Sequence, residues 1–335
     1  MDFIACGLRN FSVSDYSRPI EIKNNDKTDF VLTYKEEILT VIPSSYNYLL
    51  RIGTIETERL LNNFVCFHLT DLPDNDNNKR RILVNNIYGN CQNFSNALWF
   101  IKDNSVTPTI ATISSDSKIE PLFLRRNVYY SDSEAKYDPN IAFTTSEISE
   151  AMKWYKELDG LTDKKKSKEM NLENGKDLIN MSGFLSFEIP SFQRALYFLD
   201  AARKNDFLPA KIANYISILE CLFAVNGNNT HKVAERTAVF IGGNSEERIE
   251  IFENVVKTYG VRSLYLHGSE IKGSTHDSLP NTSKIIDDIV RKVLIKIITV
   301  HPELNYRSKK DKKDPNSKNV EDINNWFNYL LLSKE

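Results

Sequence analysis

Hydrophobic positions are spaced differently in the two halves of this chain, and the change of spacing predicts a change of architecture. Over residues 1 to about 143, short apolar runs alternate with polar breaks. The runs are Phe3-Ile-Ala-Cys, Ile20-Glu-Ile, Phe30-Val-Leu-Thr-Tyr, Ile38-Leu-Thr-Val-Ile, Tyr46-Asn-Tyr-Leu-Leu, Phe64-Val-Cys-Phe-His-Leu, Ile82-Leu-Val and Thr109-Ile-Ala-Thr-Ile. Their β-branched and aromatic content, and breakers such as Asn24-Asn-Asp, Pro43-Ser-Ser and Pro73-Asp-Asn-Asp-Asn-Asn, predict strands of about five or six residues. Only Cys91 to Phe100 has helical character here, which admits a helix packed on the sheet.

From residue 144 the period becomes helical. Thr144 followed three residues later by Glu147 forms a capping box, and Ile148, Ala151, Met152, Tyr155 and Leu158 then recur on one helical face. Further helices are predicted near 191–204, 208–225, 230–242, 245–267, 281–300 and 320–332, the last holding Trp326, Phe327, Leu330 and Leu331. In the 281–300 helix, Ile285, Ile289 and Val293 form one apolar row and Ile286, Val290, Leu294 and Ile297 an adjoining one. That helix is expected to be buried on a broad face, against sister helices or a partner subunit. Residues 160–175, with Lys164-Lys-Lys-Ser-Lys, are charged and nearly lack large apolar groups, so they read as a linker or insertion. The expected fold class is α+β: a β-rich domain over 1–143, then an all-α bundle over 144–335 with its core at 190–300.

Composition narrows the function classes. At 335 residues the chain is long enough for two domains with substantial cores. Its 43 basic and 45 acidic side chains give a formal charge of −2, so there is no global cationic field and any nucleic-acid contact must be local. Cys6, Cys66, Cys91 and Cys221 contain no CxxC, which argues against a disulfide scaffold, a zinc site or a redox motif and favours a reducing cytoplasm. The opening residues lack a basic leader with an apolar run, and no stretch approaches the ~20 apolar residues that span a bilayer, so no membrane partner is expected. His231, His276 and His301 stand without acidic or thiol neighbours at ligand spacing, and no metal or cofactor is expected. Gly242-Gly243 reads as a helix terminator, because no phosphate-loop lysine or serine follows it. Arg307-Ser-Lys-Lys-Asp-Lys-Lys-Asp reads as a solvated loop.

The stretch with the most chemistry is Tyr259-Gly-Val-Arg262-Ser263-Leu-Tyr-Leu-His267-Gly268. A histidine can exchange protons near neutral pH, and an arginine can hold and neutralise a phosphate. Gly268 accepts the left-handed conformation that ends helices, which puts His267 in a last turn. The same spacing also suits a surface arginine and a histidine favoured by the helix dipole. Positions five apart point about 140° away from each other on a regular helix, so Arg262 and His267 of one chain do not share a face. Either distortion at the helix end or a twofold pairing of this segment with its own copy would bring them together. Glu220 lies among Ile216, Leu219, Leu222 and Phe223, so its carboxylate is expected to be partly buried and to need Arg236 or Arg262 as a partner. Ser263 would bond either a phosphate oxygen or its own backbone.

Asn214-Tyr-Ile-Ser-Ile-Leu-Glu220-Cys-Leu-Phe-Ala, then His231-Lys-Val-Ala-Glu-Arg236-Thr-Ala-Val-Phe, then Arg262 to Gly268 follow one another in a set order. This succession resembles the Apea-like branch of the HEPN superfamily, in which a Leu-Glu-x-Leu helix, an Arg-x-Ala helix and an Arg-Ser-x3-His-Gly helix form a bundle. The resemblance covers about residues 190–300. It implies a metal-independent endoribonuclease in which Arg262 and His267 are catalytic and Ser263, Glu220 and Arg236 support them. It also implies a homodimer, RNA such as tRNA as substrate, and a role in abortive antiviral defence. The commonest ribonuclease pattern of the superfamily has Asn, Asp or His after the arginine, where this chain has Ser263. A non-catalytic binding or dimerisation module with an N-terminal recognition domain is the other reading. Residues 1–140 hold one histidine, His68, and no paired carboxylates beside a nucleophile, which suits sensing of a phage-derived or protein trigger better than a second active site.

Overall fold

The computed structural model describes residues 2–24, 27–41, 45–61, 64–70, 76–115, 120–125, 129–138, 140–161, 190–223, 229–305 and 318–332. The fold is α+β, with an antiparallel sheet in the N-terminal part and helices in the C-terminal part. The chain divides into two compact units, Met1–Asp132 with Tyr137–Asn174 and Ser133–Lys136 with Gly175–Glu335.

In the first unit, six strands pair in the order β3-β4-β5-β1-β6-β7: β1 Asp2–Arg9, β3 Ile20–Asn24, β4 Lys27–Tyr34, β5 Phe64–Thr70, β6 Thr107–Ser115 and β7 Leu122–Arg125. Every pairing in this sheet is antiparallel. The short strands β2 (Ser12–Val13) and β8 (Ala142–Phe143) pair in parallel. β1 is buried over all but its last residue because both of its faces are covered. On one face Phe3, Ala5, Val65, Phe67 and Ile110 pack with Ile38, Tyr48, Leu49, Ile52 and Leu60 from the helices α1 (Ile38–Val41), α2 (Ser45–Ile52) and α3 (Thr54–Leu60). Gly7 allows that approach, since a Cβ there would lie 2.5 Å from the Leu60 carbonyl oxygen. A Gly7→Ala change would therefore push α3 off the sheet. The other face carries Phe30, Cys6 and Cys66 toward α4 (Asn77–Ile101), whose Phe94 packs edge-on to Phe11 and Phe30. Each fully buried side chain of this size contributes roughly 1.5–3 kcal/mol.

Three runs that read as strands are helical. Ile38-Leu-Thr-Val lies in α1, Tyr46-Asn-Tyr-Leu-Leu in α2, and Ile82-Leu-Val inside the 25-residue α4. The reason is burial from one side at helical spacing: Val84, Ile87, Tyr88, Cys91, Phe94 and Leu98 line one face of α4, and Asp76 caps it by accepting from the Lys79 amide at 2.9 Å.

The capping box forms as read. The Glu147 amide donates to Thr144 Oγ1 at 3.1 Å, and the Thr144 amide donates to Glu147 Oε2 at 2.9 Å. The helix it starts, α5 (Thr145–Leu161), packs on α4 within the first unit: Trp154 stacks on Phe100 at 5.2 Å, and the Tyr155 hydroxyl donates to Asp29 at 2.7 Å. The change of periodicity near residue 144 therefore precedes the end of the first compact unit. Most of the charged 160–175 segment lies outside the described residues, and so does the Arg307 run.

The second unit contains α6 (Ser191–Arg203), α7 (Leu208–Phe223), α8 (Asn229–Ile241), α9 (Ser245–Leu266), α10 (Gly273–Asp277), α11 (Leu279–Thr299) and α12 (Val320–Leu332). α6 and α7 form an antiparallel hairpin in which the buried Lys211 ammonium donates to the Ala202 carbonyl at 2.8 Å. α11 buries Ile286, Ile289, Val290, Val293, Leu294 and Ile297, most of the broad face expected of it. α12 closes on the bundle through Phe327, which packs edge-on to Phe223 at 5.2 Å. Among the described residues, no helix is long and apolar enough to cross a membrane.

Candidate functional site

The Arg262 segment sits on α9, a helix with well-made ends. Asn244 accepts from the Glu247 amide at 2.9 Å, while Glu247 Oε2 accepts from the Gly243 amide at 2.8 Å. Gly242 is required beside this cap, because a Cβ would come within 2.6 Å of the Ala238 carbonyl oxygen. At the other end Gly268 adopts φ +69°, its amide bonds Tyr265 O at 3.3 Å, and the Ser269 amide bonds Leu264 O at 2.9 Å. Those two bonds form a Schellman motif and make His267 the C-cap residue. His267 and Ser263 are both exposed.

Arg262 points the other way, into a polar cluster against α7. Its Nη2 donates to Glu220 Oε2 at 3.0 Å, the Tyr259 hydroxyl donates to Glu220 Oε1 at 3.2 Å, and the guanidinium carbon lies 5.8 Å from the Tyr259 ring centre. The pair is partly screened, with side-chain exposures of 28% for Arg262 and 19% for Glu220. Burial and the neighbouring Glu220 charge push the Tyr259 phenol well above its ordinary value. Arg262 Nε is buried without a hydrogen-bond partner. The carboxylate of Glu220 therefore engages Nη2 and leaves the adjacent Nε, which is shielded from solvent, without a partner.

Arg236 does not join this cluster. Its Nη1 donates to the Phe223 carbonyl at 3.0 Å and to Asn324 Oδ1 at 2.9 Å, and its guanidinium lies 4.9 Å from the Phe327 ring centre. Of the two partners open to Glu220 from sequence, the structure selects Arg262.

Two groups carried no sequence signal, one beside Glu220 and one in the core of the first unit. Arg194 on α6 faces the α7 turn that holds Glu220 and Cys221, and its charge opposes the burial that pushes the Cys221 thiol up to about 11. Arg194 Nε is also buried without a partner. Residue 194 meets residue 221 through the antiparallel register of the α6–α7 hairpin, which the Lys211–Ala202 bond fixes. In the first unit, Cys6, Cys66 and Cys91 meet in the core through side-chain hydrogen bonds, and burial pushes all three thiols up. Sequence spacing concealed that meeting, since Cys6 and Cys66 are cross-strand neighbours in the β1–β5 register.

The remaining histidines are dispersed. His231 packs on Phe252, His301 lies between Phe240 and Trp326 with Glu303 at 3.0 Å, and His276 is near Asp277. Among the described residues, no group of three or more His, Cys, Asp or Glu is arranged to hold a metal ion.

Comparison with protein-family models, curated proteins and solved structures returns no match for this chain.

Proposed function

We propose that the helical unit is an endoribonuclease of the HEPN type. The observation that carries this reading is the placement of Arg262: Glu220 holds it from one side, its side chain is still 28% exposed, and an exposed His267 caps the same helix. In this reading Arg262 clamps the scissile phosphate and His267 acts as general acid and base. A base takes the proton of a ribose 2′-hydroxyl, the 2′-oxygen attacks the adjacent phosphorus, and the bond to the 5′-oxygen breaks. That leaving oxygen receives a proton, giving a 2′,3′-cyclic phosphate and a 5′-hydroxyl end. Nothing in the sequence of steps requires a metal, and Arg262 neutralises the charge that builds on the phosphate.

A regular helix keeps Arg262 and His267 of one chain about 140° apart, so the proposed active form is a twofold homodimer that faces these segments across its axis. Exposure of Ile249, Val256 and Leu266 along α9, and the open space beside Gly260, support such a pairing. The substrate would be cellular RNA such as tRNA, cut in antiviral defence, with the first unit recognising a phage-derived or protein trigger. The direct test is incubation of the purified chain with a mixed tRNA pool in EDTA. Cleavage that disappears in both His267→Ala and Arg262→Ala supports the assignment; cleavage unchanged in both variants removes it. One observation favours the second reading, a non-catalytic binding module: the Arg262–Glu220–Tyr259 cluster already ties α9 to α7 as a structural contact.

A further inference from the structure

The first unit has a partly open cleft of about 360 Å³ lined by Ser12, Val13, Tyr16, Tyr34 and Phe64. It is large enough for the head group of a small ligand. Tyr34 and Phe64 are direct cross-strand partners at the end of β4 and β5, and Tyr16 leans on both from the segment after β2. The three ring centres lie 5.2, 5.4 and 6.4 Å apart, with Tyr16 at 85° to Phe64 and Tyr34 at 63° to Phe64. The rings therefore form the inclined walls of a corner. Phe64 is its buried back wall, and Tyr34, 37% exposed, is its outer wall.

A triangle with those sides has its centre about 3.3 Å from each corner, so a charge seated about 4 Å above that centre would be about 5 Å from all three rings. That lies inside the ~6 Å reach of a cation–π contact. A carboxylate bonded to the corner reinforces the sign. Glu37 Oε2 accepts from the Tyr16 hydroxyl at 2.5 Å and from Thr33 Oγ1 at 3.4 Å, and the Tyr34 amide donates to the Tyr16 oxygen at 3.2 Å. Glu37 thus makes the Tyr16 phenol a donor toward itself, enriches that ring in electron density, and adds a negative charge behind the corner. An anion would be repelled here. A bare metal ion needs several oxygen ligands, and among the described residues no group of three or more His, Cys, Asp or Glu is arranged to hold one.

We propose that this corner binds an alkylated ammonium group, held by Tyr16, Tyr34 and Phe64 with Glu37 behind them. The group would come either from a free quaternary amine or from a methylated lysine side chain. The proposal is independent of RNA cleavage by the second unit.

Calorimetric titration of the full chain tests it with three probes: choline, its uncharged isostere 3,3-dimethylbutan-1-ol, and a short Gly/Ala peptide carrying one trimethyllysine. Saturable binding of choline or the peptide, at least tenfold tighter than that of the isostere, is expected, and the tighter of the two identifies the source. Tyr34→Ala should weaken that binding at least tenfold, Tyr34→Phe should restore most of it, and Glu37→Gln should weaken the charged probes alone. Equal binding of choline and the isostere overturns the proposal. So does no saturable binding of either charged probe by about 10 mM, or a Tyr34→Ala protein that melts like the wild type and binds like it.

Discussion

Two arginines meet the same end of α7 and are used in opposite ways. Arg236 is 5% exposed, caps the Phe223 carbonyl, bonds Asn324 and lies over the Phe327 ring, so its guanidinium joins α7, α8 and α12. Arg262, one turn away at Glu220, is 28% exposed in its side chain, held along one edge, and has a buried Nε that bonds nothing. The difference shows how one residue type is enclosed or left partly open according to how many elements supply partners for its five donors. A guanidinium whose partners come from several elements fixes those elements. Arg262, held through Nη2 and partly exposed, is oriented without being enclosed.

The largest expected effect separates the two arginines by readout. If Arg262 is the phosphate clamp, Arg262→Ala and His267→Ala should each lower RNA cleavage by roughly 10² to 10⁴-fold while the melting curve keeps its shape. Gel assays on a tRNA pool, with circular dichroism on the same samples, check this. Loss of cleavage that tracks loss of helix instead would make Arg262 a structural residue like Arg236 and erase the contrast.

The converse substitution should act on stability. Arg236→Ala strands the buried Phe223 carbonyl and Asn324 and removes the stem and charge beside Phe327, which should destabilise the second unit by about 2–4 kcal/mol. Urea unfolding followed by tryptophan fluorescence reports it, with the signal of Trp326, which touches both Phe240 and Phe327, identified by comparison with a Trp326→Phe chain. A midpoint within experimental error of wild type would show that α12 is not held through this arginine.

Much of this contrast was hidden in the sequence for a definable reason. The helices of the second unit follow local periodicity and caps, and the spans expected at 191–204, 245–267 and 320–332 match Ser191–Arg203, Ser245–Leu266 and Val320–Leu332 closely. Their legibility comes from one-sided burial, which writes a 3.6-residue period into the chain. In the first unit, short apolar runs such as Ile38-Leu-Thr-Val and Ile82-Leu-Val carry no period of their own, so strand and helix are not distinguishable without their neighbours. The Schellman end at Gly268 was legible because it is local. The choice of Arg262 over Arg236 for Glu220, the approach of Arg194 to Cys221, and the aromatic corner at Tyr16, Tyr34 and Phe64 were not. Each depends on side chains brought together by packing rather than by spacing.

A smaller effect sharpens the role of the clamp's support. Glu220→Gln keeps the shape but removes the charge that holds Arg262, and it should cost about 1–2 kcal/mol of stability, because the pair is only partly exposed. With a looser arginine, cleavage should fall by about tenfold, chiefly through turnover rather than substrate affinity, since a neutral Gln releases more positive charge toward RNA. Comparison of kcat and KM decides it. A raised KM with unchanged kcat would mean that Glu220 helps bind the substrate and does not orient Arg262.

The smallest expected effect is on alkaline stability and isolates Tyr259. Burial, then the Glu220 charge, raises its phenol above the ordinary value near 10, so the folded chain retains a proton that the unfolded chain releases. A raised acid contributes stability that is fully present below the unfolded value and is lost as pH climbs toward the folded one. The wild-type stability curve should therefore fall more steeply than that of Tyr259→Phe from about pH 10 upward, by close to one proton released on unfolding. Below pH 9 the two curves should run parallel, with the variant about 1 kcal/mol lower for its lost bond to Glu220. Urea midpoints collected across that range measure both features. Parallel curves throughout would mean that Tyr259 ionises alike in both states, so that the cluster behind Arg262 is open to water and the guanidinium is not held as its bond to Glu220 requires.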